Sequence, residues 1–326
     1  MRAVVCSQFG PTSELAVSDH PAPQPGERQV LVRVAAAGLN YPDALIVLGK
    51  YQLKPPLPFV PGIELAGEVA AVGAGVREFH VGDSVMATTS TGAFAELCAV
   101  PVERALPRPP SIGPDVAAGS LITYGTTWHA FEDRAKLAAG ETVLVLGAAG
   151  GVGTAAIEIA RLMGARVIAA ASSAAKLELC RQLGADATID YSTENLRDRI
   201  RELTGGRGVD VIYDPVGGSY SEPALRSAGW AGRHLVIGFA SGEIPKIPLN
   251  LALLNGRSIL GVYWGDWAQR NPKASAESFA RIAEAIAGGR LRPVISGRLR
   301  LEEIPRGLED LLNRRVQGKL VAVLQS

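Results

Sequence analysis

Cysteine is scarce: three in 326 residues, at positions 6, 98 and 180. An odd, scattered set builds neither a disulfide framework nor a zinc site, so free thiols are expected. The four histidines, His20, His80, His129 and His234, also lack the paired spacing of metal ligands. No apolar run is long enough to span a bilayer. The first residues, Met1-Arg2-Ala3-Val4-Val5-Cys6, meet Gly10-Pro11 and then charges, without the hydrophobic core of a secretion signal, so the expected location is cytoplasmic. Charge of one sign is missing as well. Lys and Arg total 33 against 32 Asp and Glu, a net charge of +1. No global field gathers nucleic acid or an anionic membrane, and neither is expected as a partner.

What is present is an ordinary globular composition, 47% hydrophobic and 20% charged. At roughly 150 residues per domain the length suggests two domains. Up to about residue 110 the chain is rich in Gly and Pro, with short β-type runs such as Gln29–Val34 and Glu64–Val69, which predicts a compact β-rich domain. From about 115 to 262 apolar strands alternate with helical stretches, the pattern of βαβ units on a parallel sheet. Expected strands are Thr142–Leu146, Val167–Ala171, Ala187–Ile189, Val209–Asp214 and His234–Gly238; expected helices are Val152–Gly164, Ala175–Leu183 and Thr193–Thr204. The tail predicts helices near Ala274–Gly288 and Glu302–Arg315 and a closing strand, Gly318–Leu324, that returns to the N-terminal domain.

The strongest local signal is Thr142–Leu146 running into Gly147-Ala148-Ala149-Gly150-Gly151-Val152-Gly153 and then a helix. This strand–glycine turn–helix context is that of a dinucleotide fingerprint, with Ala148 a departure at the first glycine of the usual pattern. Gly150 and Gly151 would let the backbone approach a pyrophosphate, and Gly153 would let the helix pack closely on the strand. The helix start, from Val152, would offer free amides and the positive end of a dipole. The second strand ends in Ser172-Ser173-Ala174-Ala175-Lys176, with no acid to take a ribose 2′-hydroxyl. Two hydroxyls and a cation suit a 2′-phosphate, so NADPH is the expected cofactor. Ser172 or Ser173 can at the same time cap the following helix.

Further segments complete a resemblance. They are Gly38-Leu39-Asn40-Tyr41-Pro42-Asp43, Gly49-Lys50-Tyr51, Pro58–Gly67, Gly147–Gly153, Gly205–Asp210, Asp214–Gly218, Ile237–Gly242 and Gly261–Gly265. In order and spacing, over essentially the whole chain, the sequence resembles the zinc-independent quinone oxidoreductase (zeta-crystallin-like) branch of the medium-chain dehydrogenase/reductase superfamily. The resemblance implies an α/β protein: a GroES-like β-rich catalytic domain over residues 1–120, a Rossmann doubly wound parallel sheet over 121–262, and a C-terminal return over 263–326. It implies an active site in the cleft between domains and a homodimer or homotetramer. It also places Asn40 and Asp43 near the nicotinamide end, Thr127 against the nicotinamide and Tyr191 beside the adenosine. Main-chain groups at Phe239–Ala240 and at Val262, Tyr263 and Trp264 would hold ribose and carboxamide, and Lys319 would reach the phosphates. Several of these have plainer readings: Asn40 and Asp43 as caps of a short helix, Thr127 as a cap or back-bonded hydroxyl at a helix start, Tyr263 and Trp264 as core or interface aromatics.

Zinc alcohol dehydrogenases carry a catalytic cysteine and a Gly-His-Glu segment where this chain reads Gly62-Ile63-Glu64 and has no cysteine cluster. No metal is expected, and Glu64 is expected to be structural. Without a Lewis acid the substrate must accept a hydride unaided. A quinone does so by becoming an aromatic hydroquinone anion, and an α,β-unsaturated carbonyl or enoyl thioester does so by conjugate addition. Tyr51 is the side chain expected to reach a substrate oxygen or wall the site. The leading expectation is an NADPH:quinone oxidoreductase. An enone or enoyl-thioester reductase, or an NADPH-binding protein with little turnover, remain alternatives.

Overall fold

The computed structural model describes residues 1–324; the last two positions of the expected 263–326 segment lie outside the described residues. The chain forms two compact units. The first comprises Met1–Ile122, Pro272–Gly288 and the described chain from Pro293 onward; the second comprises Thr123–Asn271 and Gly289–Arg292.

The second unit is built on six parallel strands in the order Ala187–Asp190, Arg166–Ala171, Thr142–Leu146, Val209–Asp214, Ala228–Val236, Ser258–Gly261. This is the doubly wound order, in which the direction of winding reverses between Thr142–Leu146 and Val209–Asp214. The apolar runs form strands because both faces are covered: Leu144, Leu146, Ile168 and Ile212 are fully buried in one core cluster. Helices Gly151–Leu162, Ala174–Gln182 and Leu196–Leu203 connect the strands. The last is shorter than the sequence suggested because Asn195 caps it, accepting from the amides of Arg197 and Asp198. The fifth strand begins at Ala228, six residues before the expected start at His234.

The first unit holds a seven-stranded sheet. Its path runs Ile295–Leu299, Lys319–Val323, Gln29–Gly38, Glu64–Val72, Ser84–Thr88, Ala105–Pro107, and Leu97–Pro101 joins on Gln29–Gly38. Its core includes Val30, Val32, Val34, Leu65, Val69, Val85 and Phe94. The closing strand does return here: Lys319–Val323 pairs antiparallel with Gln29–Gly38 and parallel with Ile295–Leu299. A helix, Pro114–His129, crosses the border between Ile122 and Thr123, so the expected boundary at 120 falls inside a helix. It continues as a π-helical turn, Ala130–Ala135. Thr127 therefore lies near a helix end and not at a helix start. No helix among the described residues is long and apolar enough to cross a membrane.

Candidate functional site

In the parallel-sheet unit the candidate residues follow the carboxyl ends of the strands, where open α/β sheets bind ligands at their switch point. Gly147 leaves the first strand with φ +57°, a conformation that favours glycine. Gly150 then caps the helix Gly151–Leu162. A Cβ on Gly153 would stand 2.4 Å from the Gly147 carbonyl oxygen and 2.7 Å from Ala148 backbone atoms, so only glycine lets the helix lie this close to the turn. The amides of Gly151, Val152 and Gly153 are those a helix start leaves without intrahelical acceptors. After the second strand, Ser173 caps the next helix and accepts from the Lys176 amide at 3.4 Å, while Lys176 Nζ donates to Ser172 Oγ at 3.3 Å. Three residues chosen from the sequence thus converge, with Ser172 exposed and Ser173 and Lys176 half-buried.

Asp214 shapes the neighbouring loops by accepting from amides of the turn that follows it. Oδ1 accepts from the amides of Val216 and Gly217, both at 2.9 Å, and Oδ2 from Ser221 Oγ at 2.5 Å with His234 Nε2 at 3.0 Å. Burial pushes this carboxyl up, but His234, the Gly217 amide and Ser221 outweigh it and hold it below the usual range. The loop carrying Phe239 and Ala240 is pinned to the same region: Ala240 N donates to Pro215 O at 3.0 Å and Ser241 N to Val216 O at 2.8 Å. Val262 N donates to Val236 O at 3.0 Å; Val262 and Trp264 are buried and Tyr263 is exposed. Tyr191 packs on this core with its ring tilted against Tyr220 at 4.5 Å.

Thr127 is fully buried. Its Oγ1 donates to Thr123 O at 2.8 Å, which spends its one hydrogen; the Tyr213 hydroxyl, 2.8 Å away, is therefore the donor to Thr127. His129 is bonded to Asp133 through Nδ1 at 2.7 Å and stacked on Trp267.

The β-rich unit holds a buried charged cluster. Asn40 caps the short helix Tyr41–Val47, and its backbone N–H donates to Asp43 Oδ2 at 2.8 Å. Glu64, fully buried, accepts from Asn40 Nδ2 at 2.8 Å and the Ile122 amide at 3.0 Å, and pairs with Lys319 Nζ at 2.5 Å. Asp43 is equally buried, and its Oδ1 has no hydrogen-bond partner. Burial pushes its carboxyl up to about 7, against the pull of the Asn40 amide and Lys319. Glu64 is thus engaged by Asn40, Ile122 and Lys319. Lys319 differs from what the resemblance implied: its ammonium is buried on Glu64 and Asn40, because two buried carboxylates require a cation within reach. Tyr51 is half-buried against the core of the same unit.

The donors present do not make a zinc site. Glu64 is spent on three donors, and among the described residues no three His, Cys, Asp or Glu side chains converge as ligands.

Residues 26–110 match the family described as alcohol dehydrogenase GroES-like domain, and residues 151–281 match zinc-binding dehydrogenase. A quinone oxidoreductase-like protein 2 homolog of Nematostella vectensis is 40% identical over 98% of this chain and 88% of its own. A mycobacterial protein solved with NADPH is similar at a TM-score of 0.93 and 32% identity, over 99% of this chain and 100% of the other. The quinone oxidoreductase of Escherichia coli, also solved with NADPH, is similar at a TM-score of 0.92 and 27% identity, again over 99% and 100%. Family matches, relatives and fold agree: the chain belongs to the quinone oxidoreductase branch of the medium-chain dehydrogenase/reductase superfamily.

Proposed function

We propose that this chain is an NADPH-dependent quinone oxidoreductase that delivers a hydride to a small quinone without a metal ion. The observation that carries the reading is the turn at Gly147–Gly153, whose close helix approach no side chain at Gly153 would permit. Ser172, Ser173 and Lys176 stand at the end of the second strand in place of an acid. Relatives solved with NADPH support the same cofactor.

The residues fit NADPH. The amides of Gly151, Val152 and Gly153, with Gly150 before them, would take the pyrophosphate, and Ser172, Ser173 and Lys176 the 2′-phosphate. Tyr191 would lie beside the adenosine, and Phe239–Ala240 with Val262, Tyr263 and Trp264 would hold ribose and carboxamide. Thr127, fully buried with its hydroxyl committed to Thr123 and Tyr213, would support the site from behind and not line it. When bound, NADPH supplies the hydride; the protein supplies orientation and exclusion of water. Asn40, Asp43 and Tyr51 are the residues assigned to the substrate side. A quinone needs no Lewis acid, because the hydroquinone anion it forms is aromatic and takes a proton from solvent. The commitment of Glu64 to Lys319 and Asn40 supports the metal-free route.

We also read the chain as a homodimer or homotetramer. Ser258–Gly261 is the outer strand of the parallel sheet, and Trp230, Leu249, Leu253, Leu254, Ile259 and Tyr263 are exposed in that unit. An open edge with apolar neighbours favours pairing with a second copy; a monomer in sedimentation equilibrium at micromolar concentration would remove this reading.

The functional test is NADPH consumption by the purified protein with 1,4-benzoquinone, 9,10-phenanthrenequinone, an alkyl enone and crotonyl-CoA in parallel. Turnover with the quinones alone is expected. Turnover chiefly with the enone or thioester would replace the proposed substrate, and silence with all four despite tight NADPH binding would make the chain a binding protein.

A further inference from the structure

The carboxamide of Asn40 is committed on three sides. Nδ2 donates to Glu64 Oε1 at 2.8 Å and to the Gly38 carbonyl at 3.3 Å. Oδ1 accepts from Lys319 Nζ at 2.5 Å, and that ammonium is itself anchored 2.5 Å from Glu64 Oε1. Asn40, Glu64 and Lys319 are all buried. Gly38 makes room for the arrangement: a Cβ there would stand 2.4 Å from Glu64 Oε1 and 2.2 Å from Ala118 O.

Donor and acceptor chemistry then decides the orientation of the amide. An ammonium offers only donors and a carboxylate only acceptors. Turning the carboxamide by half a rotation would aim Oδ1 at the Glu64 oxygen and Nδ2 at the ammonium, replacing two attractions by two repulsions where the dielectric is low. In the orientation observed both Nδ2 hydrogens are spent. Oδ1 is then the one atom of the carboxamide that can accept a hydrogen bond.

We propose that Lys319 is a positioning residue: it locks the Asn40 carboxamide so that this side chain meets the reacting partners as a hydrogen-bond acceptor and never as a donor. The inference rests on the reading of Asn40 as a substrate-side residue. The chemistry that fits an acceptor there is an N–H or O–H group, such as the carboxamide NH2 of the nicotinamide or the hydroxyl of the reduced product. Lys319 acts through Asn40, from a strand at the far end of the sequence.

The test is a double-mutant cycle in the full chain, with Lys319→Met, Asn40→Leu and the pair, measured with NADPH and a quinone. Lys319→Met is expected to lower kcat by about ten- to a hundredfold, the cost of a misplaced group. The Kd for NADPH should stay within about threefold, since the ammonium makes no uniform binding contribution. Lys319→Arg should restore part of the rate. The double variant should be no slower than Asn40→Leu alone, because the two act as one unit. A roughly tenfold rise in the NADPH Kd of Lys319→Met at unchanged kcat would put the ammonium on the cofactor and overturn the proposal. Losses that multiply in the double variant would also overturn it. If the variants do not fold, the wild-type chain decides. The Asn40 side-chain amide, followed by 15N NMR, should exchange slowly with solvent, and fast exchange would sink the lock. Absence of wild-type turnover with any acceptor would remove the functional reading instead, while the amide measurement still judges the lock.

Discussion

The hydroxyl oxygens of Thr127 and Tyr213 lie 2.8 Å apart in the interior of the parallel-sheet unit, with Tyr213 donating. Burial pushes the Tyr213 phenol up, so it stays a neutral donor across the working pH range. Thr127→Ala would leave that buried O–H without its acceptor, at about 1–3 kcal/mol. The denaturant midpoint should fall accordingly. Adding Tyr213→Phe should recover part of the loss, since the orphaned group is gone; two losses that simply add would show that the pair is not coupled.

Gly153→Val should abolish tight NADPH binding. Its Cβ would meet the Gly147 carbonyl and the Ala148 backbone, and backbone cannot move aside as a flexible side chain can. A rise of about a hundredfold in Kd is expected for a helix start pushed off its phosphate. Fluorescence titration of a variant with native circular dichroism reads it, and wild-type affinity there would contradict the assigned turn.

Lys176→Glu should act on cofactor choice more than on fold. Lys176 is half-buried and its Nζ donates to the exposed Ser172 Oγ at 3.3 Å, so its ammonium end carries little of the packing. A carboxylate beside a 2′-phosphate repels it and leaves a 2′-hydroxyl untouched. The ratio of kcat/KM for NADPH over NADH should drop by about tenfold or more, equivalent to about 1.4 kcal/mol. An unchanged ratio would take Lys176 out of the site.

Asp43 should make stability fall as pH rises. Burial pushes its carboxyl from 3.8 to about 7 on folding. A raised acid binds its proton more tightly in the native state, so its contribution is complete below 3.8 and is lost as pH climbs through about 7. Asp43→Asn keeps an acceptor for the Asn40 amide and removes the ionisation. The variant's thermal midpoint, relative to wild type, should therefore rise between pH 5 and pH 8. A difference that is flat across that range would show that Asp43 does not titrate there.

The strands Thr142–Leu146 and Val209–Asp214 were legible to the residue because apolar runs end at sharp punctuation, Gly147 after the first and Pro215 after the second. The Gly153 turn and the Ser172–Lys176 cluster were legible for the same reason: each is contiguous in sequence. Helix Pro114–His129 was not, since much of its surface is buried and it shows no apolar stripe at helical spacing. The start of Ala228–Val236 was hidden by Gly229, Gly232 and the left-handed Ala231, which do not read as a strand. The pairing of Glu64 with Lys319 joins positions far apart in sequence, and no local pattern reports an ion pair.

Lys319 lies 279 residues after Asn40. Until Lys319 emerges from the ribosome, the β-rich unit lacks the strand Lys319–Val323 and the counter-charge for Glu64, while every residue of the parallel-sheet unit is already synthesised. Domains fold as units as the chain appears, and contacts this distant close last. The order of assembly is thus written into the insertion: the nucleotide-binding half can fold first, and the other half waits for its final strand. A nascent chain stalled or cut before Lys319 would carry a folded Rossmann sheet beside an unfinished partner, an exposed target for proteases and chaperones.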